Sequence, residues 1–434
     1  MFQELCTKSS ERNYPVRIET LLNKVYRHKS FVYKNVKIER IGRRDAIVVD
    51  IEPRRNGLAI CSSCLASGPV YDHMPQERQF EFIPVWNMPV YFHYRMRRVN
   101  CRDCGVKVEQ VPWAEGKSPV TKPFALFLAR WARKLSWKET AESFCTTWDT
   151  VFNSVKQIVE YGMKHRDLAG ITAIGVDEIQ YGKGHHYLTL VYQINAGARR
   201  LLFVGKERKA RTLLRFFRDF GKERCAKLEY VCSDMWRPYI KVITKKAVNA
   251  LHILDRFHIV QNLNKAIDKI RAEEIKRLAS DGYDEEVLKN TKYCFLKNEC
   301  NLTDNQQSKL NDVLQYDLKS VRAYLLKESF QLFWNYKSPA WAEWYLDKWC
   351  SRAMRSRLDP IKKFVKTVRR HQPLIMNWFK AKKAYSSAIV EGMNRKINLV
   401  TRKSFGFRSF NVLEIALFHN MGNLPEPEFT HRFS

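Results

Sequence analysis

Residues 171–207 read ITAIGVDEIQYGKGHHYLTLVYQINAGARRLLFVGKE. The run ITAIGVDEIQY is mostly apolar and ends in acids, as a buried central strand does when it delivers a carboxylate to the edge of a sheet. HHYLTLVYQIN and RRLLFVGKE read as the next two strands, joined by AGA. RKARTLLRFFRDFGKE follows with the spacing of an amphipathic helix. AKLEYVCSD is a fourth strand, again ending in an acid, and VNALHILDRFHIVQNL begins with a fifth. The expected order is therefore βββαβαβ, with Asp177 and Asp234 at the ends of strands one and four.

That order, with acids at those two positions, is the layout of a ribonuclease-H-like sheet, in which the two acid-bearing strands are neighbours. Carboxylates crowded side by side repel, and a bound divalent cation relieves the repulsion. Mg²⁺ suits such a site because it takes hard oxygen ligands and is held by one or two carboxylates plus substrate phosphate. A third acid is expected from a closing helix within AYSSAIVEGMNRKINLVTRKSFGFRSF, residues 384–410, whose single carboxylate is Glu391. Helical spacing puts Ile389, Val390, Met393, Ile397 and Val400 on the sheet side, with Ser386 or Ser387 as N-cap. Glu391, Asn394 and Asn398 then share one stripe. Asp177, Asp234 and Glu391 are the candidate catalytic and Mg²⁺-binding (or Mn²⁺-binding) residues. Residues 262–384 interrupt the pattern with charged helical sequence containing Trp334, Trp341, Trp344, Trp349 and Trp378. This block reads as an all-α insertion with the tryptophans in its core.

Upstream, CSSC and CRDC supply two tight cysteine pairs, Cys61/Cys64 and Cys101/Cys104, on either side of RQFEFIPVWNMPVYFHYRMRRVN. Strand-type alternation broken near Pro84 and Pro89 makes the intervening stretch a hairpin. CxxC, hairpin, CxxC is the layout of a zinc ribbon, in which four thiolates hold one structural Zn²⁺. The plain alternative is four buried free thiols. Residues 122–165 have helical periodicity in three segments, the second opened by a capping box at Ser136 and Glu139. A tight break between the second and third suits a helix-turn-helix whose last helix presents Asn153, Lys156 and Gln157.

The expected class is multidomain α+β, in seven parts. Residues 1–57 are unassigned, 58–110 form the zinc ribbon and 122–165 the helix-turn-helix. Residues 171–261 open the RNase H-like α/β catalytic core, 262–384 are the all-α insertion, 385–415 close the core and 416–434 are a tail.

Charge names the partner. The 434-residue chain carries 76 Lys and Arg against 45 Asp and Glu, a formal net charge of +31. An excess of that size attracts phosphate backbones or anionic membranes. No run of 18 apolar residues is present, so no spanning helix is expected, and the first residues lack the apolar core of a signal peptide. Nucleic acid is the stronger reading. Residues 352–411 hold sixteen Lys and Arg against only Asp359 and Glu391. Arg395, Lys396, Arg402, Lys403 and Arg408 are the DNA-contact candidates in the closing segment. The eleven cysteines, without an export signal, do not read as a disulfide framework.

The stretches CSSC…RMRRVNCRDCG, SWKETAESFCTTWDTVFNSVKQIV, GVDEIQYGKGHHYLTLV, VCSDMWRPYIKVI, NALHILDRFHIVQNLN, FVKTVRRH and SSAIVEGMNRKINLVTRKSFGFRSF resemble the ISL3 family of insertion-sequence transposases. The resemblance runs from about residue 58 to 411 and implies that Asp177, Asp234 and Glu391 are a DDE triad. It further implies that Asp255 and His258 of DRFH form the auxiliary D-x-x-H element. His258 would position water or phosphate, or the two would simply pair to fix the insertion. The implied chemistry is hydrolysis at the ends of the element, bounded by terminal inverted repeats, then attack of the freed 3′-hydroxyls on target DNA. Two metal ions would clamp the attacking and leaving oxygens. A homodimer or larger assembly on double-stranded DNA and a cytoplasmic, nucleoid-associated location are expected, with no membrane. Two rivals remain: a catalytically silent DNA-binding regulator and a structure-specific RNase H-like nuclease.

Overall fold

Alternation of apolar residues builds the first sheet. The structure, a computed structural model, describes residues 17–182, 184, 186–283, 285–383, 387–404, 406, 407 and 409–428. The expected N-cap Ser386 and the DNA-contact candidate Arg408 lie outside the described residues. Described residues up to Arg166, with Lys403, Ser404 and those from Asn411 onward, form one unit, and Asp167 to Arg402 with Gly406 to Phe410 form a second.

In the first unit, helix α1 (Ile18–Val25) precedes strands β1 (Phe31–Ile41), β2 (Arg44–Pro53), β3 (Ala59–Ile60), β4 (Ser67–Gly68), β5 (Val70–His73), β6 (Arg78–Val85), β7 (Met88–Tyr94), β8 (Arg97–Cys101) and β9 (Gly105–Val108). The hairpin between the cysteine pairs, β6–β7, joins the N-terminal strands in a sheet ordered β1-β2-β7-β6, with β2 and β7 parallel. Val49, Phe80, Phe92 and Trp113 are fully buried in its core. The cysteine turns belong instead to the small pair β3–β4 and the three-stranded sheet β5-β8-β9. So residues 17–57 complete a sheet begun between the two CxxC pairs, a long-range pairing that local alternation does not reveal.

A buried ion pair ties the two sheets together. Glu109 Oε2 lies 2.8 Å from Arg97 Nη2, with only 1% and 5% of their side chains exposed. The Tyr94 hydroxyl donates to Glu109 Oε1 at 2.6 Å and the Arg97 N–H donates to the same oxygen at 2.7 Å.

Helices α2 (Lys122–Ala132), α3 (Trp137–Ser143) and α4 (Trp148–His165) follow. The capping box is present in both directions: Glu139 N–H donates to Ser136 Oγ, and Ser136 N–H donates to Glu139 Oε2 at 2.7 Å. Val151, Val155, Ile158 and Val159 are buried along α4, as periodicity requires.

The second unit opens with β10 (Ala173–Gln180), β11 (Tyr187–Gln193) and β12 (Arg200–Lys206), then α5 (Ala210–Phe220), α6 (Lys222–Ala226), β13 (Tyr230–Ser233), α7 (Arg237–Lys246) and β14 (Leu251–Leu254). The sheet order is β12-β11-β10-β13-β14, with β10, β13 and β14 parallel and the other pairings antiparallel. Leu213, Phe216, Phe217 and Phe220 of α5 and Tyr239, Val242 and Ile243 of α7 fill one face with Ile174, Val176 and Val231.

Helices α8 (Arg256–Ser280), α9 (Lys292–Leu296), α10 (Asp304–Leu314), α11 (Lys319–Leu332), α12 (Pro339–Met354) and α13 (Asp359–Lys380) make up the helical block. Trp334, Trp349 and Trp378 are buried there, whereas Trp341 and Trp344 are more than half exposed. The block returns to the sheet through Asn377, whose Nδ2 donates to the His252 carbonyl at 2.8 Å. Helix α14 (Ser387–Lys403) then buries Val390, Met393 and Ile397, and α15 (Phe410–Met421) follows. Gly175 lets α14 sit close to β10: a Cβ there would lie 2.6 Å from Val390 Cγ2.

Gly175→Ala should therefore push α14 off the sheet and cost ~1–3 kcal/mol, read as a lower urea midpoint. A second expectation concerns His252, which burial lowers to about 4 from 6.5. A histidine held neutral contributes stability above its unfolded value that is lost as pH falls toward the folded one. The unfolding free energy from urea titration should fall between pH 7 and 5 by roughly 2 kcal/mol more in the natural chain than in His252→Gln.

Candidate functional site

Parallel pairing of β10 with β13, and of β13 with β14, brings three acids to one place. Asp177 does not end its strand as expected: it lies inside β10, three residues before the end at Gln180. Antiparallel pairing with β11 carries the strand on beyond its last pair with β13 at Gly175, whereas Asp234 directly follows β13 and Asp255 directly follows β14. All three line one cavity of about 60 Å³, beside Val390 and Trp378.

Each carboxylate is oriented by its neighbours. Asp177 Oδ1 accepts the Glu178 N–H at 2.8 Å, and Oδ2 accepts Asn394 Nδ2 at 2.5 Å. Asn394 is itself fixed by the Tyr192 hydroxyl, which donates to its Oδ1 at 2.7 Å. Asp234 Oδ1 accepts the Trp236 N–H at 3.0 Å, and Oδ2 lies 2.9 Å from Arg208 Nη2. Behind Asp234, the Ser233 hydroxyl donates to the Asp234 carbonyl at 2.9 Å. That hydroxyl can then only accept from His252, whose Nε2 lies 2.8 Å away. Asp255 accepts the Phe257 N–H at 2.7 Å and so caps α8.

Two cations offset this concentration of acid. His258 Nε2 is 3.9 Å from Asp177 Oδ1 and 3.7 Å from Asp255 Oδ2, bridging both rather than serving one. The nearby Asp177 carboxylate, with Asp255 and Asp234 around it, raises it to about 9, which favours the charged imidazolium at neutral pH. Arg208 lies over the Trp236 ring at 4.6 Å and joins Asp234 to Glu178, whose Oε1 is 2.6 Å from Nη2. Burial and the Asp234 charge raise Glu178 to about 7, and burial raises Asp234 as well. Glu178 Oε2 is buried without a hydrogen-bond partner.

Glu391 stands one turn before Asn394 on α14. Its carboxylate pairs with Arg395 at 2.7 Å and is 42% exposed. The structure thus brings Asp177, Asp234, Asp255 and His258 together, joins the helix of Glu391 to Asp177 through Asn394, and leaves Glu391 itself turned to Arg395. Glu178 and Arg208 were not singled out from the sequence. Strand alternation alone assigns Glu178 to the face opposite Asp177, but nothing local in RKARTLL points Arg208 at Asp234.

The other candidates are separate. Lys396 and Arg402 are exposed on α14, and Lys403 Nζ donates to the Arg133 carbonyl at 3.2 Å. On α4, Asn153 is exposed, Lys156 lies 3.8 Å from Glu160, and Gln157 donates to Glu115 Oε2 at 2.8 Å.

The four cysteines converge. Sγ atoms of Cys61, Cys64, Cys101 and Cys104 all lie within 4.8 Å of one another, the one such group of three or more His, Cys, Asp or Glu among the described residues. Cys64 and Cys101 approach to 3.4 Å. Tetrahedral Zn–S bonds of ~2.3 Å require sulfur separations of this order. N–H groups of Cys64 and Ser63 pull Cys61 down to about 7, while hydrogen bonding to Cys64 within the thiol group pushes Cys104 up to about 12. Four thiolates so close need a cation, and the donor set fits a structural zinc.

Comparison with known proteins agrees with this geometry. Residues 174–417 match the ISL3 family model described as transposase. Residues 58–104 match the model described as zinc-finger of transposase IS204/IS1001/IS1096/IS1165. The chain is 29% identical over 422 residues to the transposase for insertion sequence element IS1557 of Mycobacterium tuberculosis, covering 92% of this chain and 94% of that one. It is 25% identical over 338 residues to the transposase for insertion sequence element IS1001 of Bordetella parapertussis, covering 77% and 82%. With a family model spanning more than half its length, the chain belongs to the ISL3 family of transposases.

Proposed function

We propose that the chain is a Mg²⁺-dependent (or Mn²⁺-dependent) DDE transposase that binds the terminal inverted repeats of an insertion sequence, cleaves its ends and joins the 3′-hydroxyls to target DNA. The observation that carries this reading is the convergence of Asp177 and Asp234 from adjacent parallel strands on one cavity, with the Glu391 helix hydrogen-bonded to Asp177. The sheet order supports an RNase H-like core with the helices of residues 256–380 inserted after β14.

The residues fit a hard divalent cation. The donors are carboxylate oxygens, those of Asp177 and Asp234 line one cavity, and they repel one another. Asp177 and Asp234 would hold the metal, with Glu391 as the third ligand. When bound, such ions polarise the phosphodiester and make water or a hydroxyl nucleophilic near neutral pH. Glu391 is available for the role because an exposed i,i+4 pair such as that with Arg395 is worth only ~0.3–0.5 kcal/mol.

The chain's own groups do the positioning. Asn394 and the Glu178 N–H hold Asp177, while Trp236 N–H and Arg208 hold Asp234. His258, charged between Asp177 and Asp255, can donate to a DNA phosphate brought to the site. Duplex DNA is gripped by the basic residues of α13 and α14, among them Arg395, Lys396, Arg402 and Lys403, together with Arg408 later in the sequence. Helices α2–α4 act as a helix-turn-helix that reads the terminal repeats with Asn153, Lys156 and Gln157, assisted by the zinc ribbon. Two ends joined in one reaction call for at least a dimer on DNA. No described helix is long and apolar enough to cross a membrane.

Asp177→Asn should abolish strand cleavage of terminal-repeat DNA while leaving its binding within about twofold of the natural chain. Undiminished cleavage by this variant would remove Asp177 from the site. Independently, Cys61→Ser should lose close to one equivalent of zinc in elemental analysis, and an unchanged content would show that the thiols hold none.

A further inference from the structure

Helix α5 has two unlike faces. Leu213, Phe216, Phe217 and Phe220 are buried against the sheet, and Arg211, Arg215 and Arg218 recur at four- and three-residue intervals along the outer side. These three arginines line an open groove of about 720 Å³ together with Lys206 at the end of β12 and Lys246 at the end of α7. Glu207 is the one acid in that lining, and it is already engaged by Arg211 and Lys209 at 2.9 Å each. Five cations against one acid is not the mixed charge of an ordinary solvated face. The groove lies outside residues 352–411, so it is a second, separate concentration of positive charge.

The groove is also built. Arg215 stacks its guanidinium 5.0 Å from the Phe203 ring and reaches the Val204 carbonyl at 3.5 Å, which fixes its direction. Arg211 and Arg218 stand about three-quarters exposed, each held only by a surface ion pair, Arg211 with Glu207 and Arg218 with Asp219 at 3.2 Å, of the kind a phosphate can displace at little cost. From Arg211 to Arg218 the helix rises ~10 Å, enough to meet successive phosphates of one strand. Arginine and lysine make up most of the lining, with Glu207, Thr212 and Leu214, and contacts from such cations to phosphate oxygens carry no sequence information. The segment that supplies it is continuous with the acid cluster, because Arg208 reaches Asp234 while its neighbour Glu207 lines the groove.

We propose that the groove along the outer face of α5 is a sequence-independent binding site for the phosphate backbone of duplex DNA beside the catalytic carboxylates. This rests on the proposed transposase function and adds a DNA-binding surface to it.

The test is the salt dependence of DNA binding without divalent metal, by fluorescence anisotropy. Two duplexes of equal length serve as probes, one carrying a terminal repeat of the element and one of unrelated sequence. Each phosphate contact contributes ~0.9 to the slope of log K against log salt. The variant Arg211→Gln/Arg218→Gln/Lys246→Gln should lower that slope by roughly 2–3 with the unrelated duplex. An equal loss with the repeat duplex supports the sequence-independent site, and a loss with that duplex alone overturns it. Arg211→Lys/Arg218→Lys, which keeps the charge, should preserve the slope. Slopes unchanged for both duplexes, at an unchanged Tm, would overturn the proposal. If the triple variant does not fold, Arg218→Gln alone should still lower the slope by ~0.9, and no change there overturns it equally. Metal-free binding does not depend on cleavage, so a failed groove and a failed catalytic assignment give different results.

Discussion

Mutual repulsion between carboxylates at the ends of neighbouring parallel strands is the constraint on which the second unit turns. Asp177, Asp234 and Asp255 are placed together by backbone pairing, before any side chain has a choice. Nothing about burying them is favourable alone. The structure answers with Arg208 and His258, each shared between two acids, and with N–H donors aimed at one oxygen of Asp177 and of Asp234. The same arrangement that costs stability creates a strong demand for positive charge, which a divalent ion and a protein cation can both meet.

Much of this was legible in the sequence because it depends on short-range pattern. Five strands, the acid that directly follows the fourth, the capping box at Ser136 and the inward side of α4 all follow from period and composition, whereas the strand holding Asp177 runs on to Gln180. The four cysteines were legible because two tight pairs leave few alternatives. What the sequence hid depends on chain segments that meet only after folding. The β6–β7 hairpin pairs with β2 in parallel, so its membership in the N-terminal sheet has no local signature. Arg208 reaches Asp234 across 26 positions, and Asn394 reaches Asp177 across 217. Trp341 and Trp344 shared the spacing of core residues yet are exposed, because an amphipathic pattern in a helix this rich in aromatics does not say which face wins.

Helix α14 converts packing into orientation. Val390 settles against the bare backbone of Gly175, which sets how closely the helix approaches β10. At that distance Asn394 spans the gap between Tyr192 and Asp177. Glu391, one turn earlier on the same helix, therefore inherits its position from a contact between a glycine backbone and a valine methyl. Its half-exposed pairing with Arg395 leaves its side chain free to swing without disturbing the helix beneath.

The Arg97–Glu109 pair carries an evolutionary consequence for the first unit. Almost wholly enclosed and bonded also to Tyr94, neither charge has water to fall back on. Removing one alone strands the other at a penalty of ~3–5 kcal/mol, whereas exchanging both for well-packed apolar residues is often neutral. Drift through single substitutions is thereby blocked, and the metal-binding strands stay welded to the sheet beside them unless both positions change in concert.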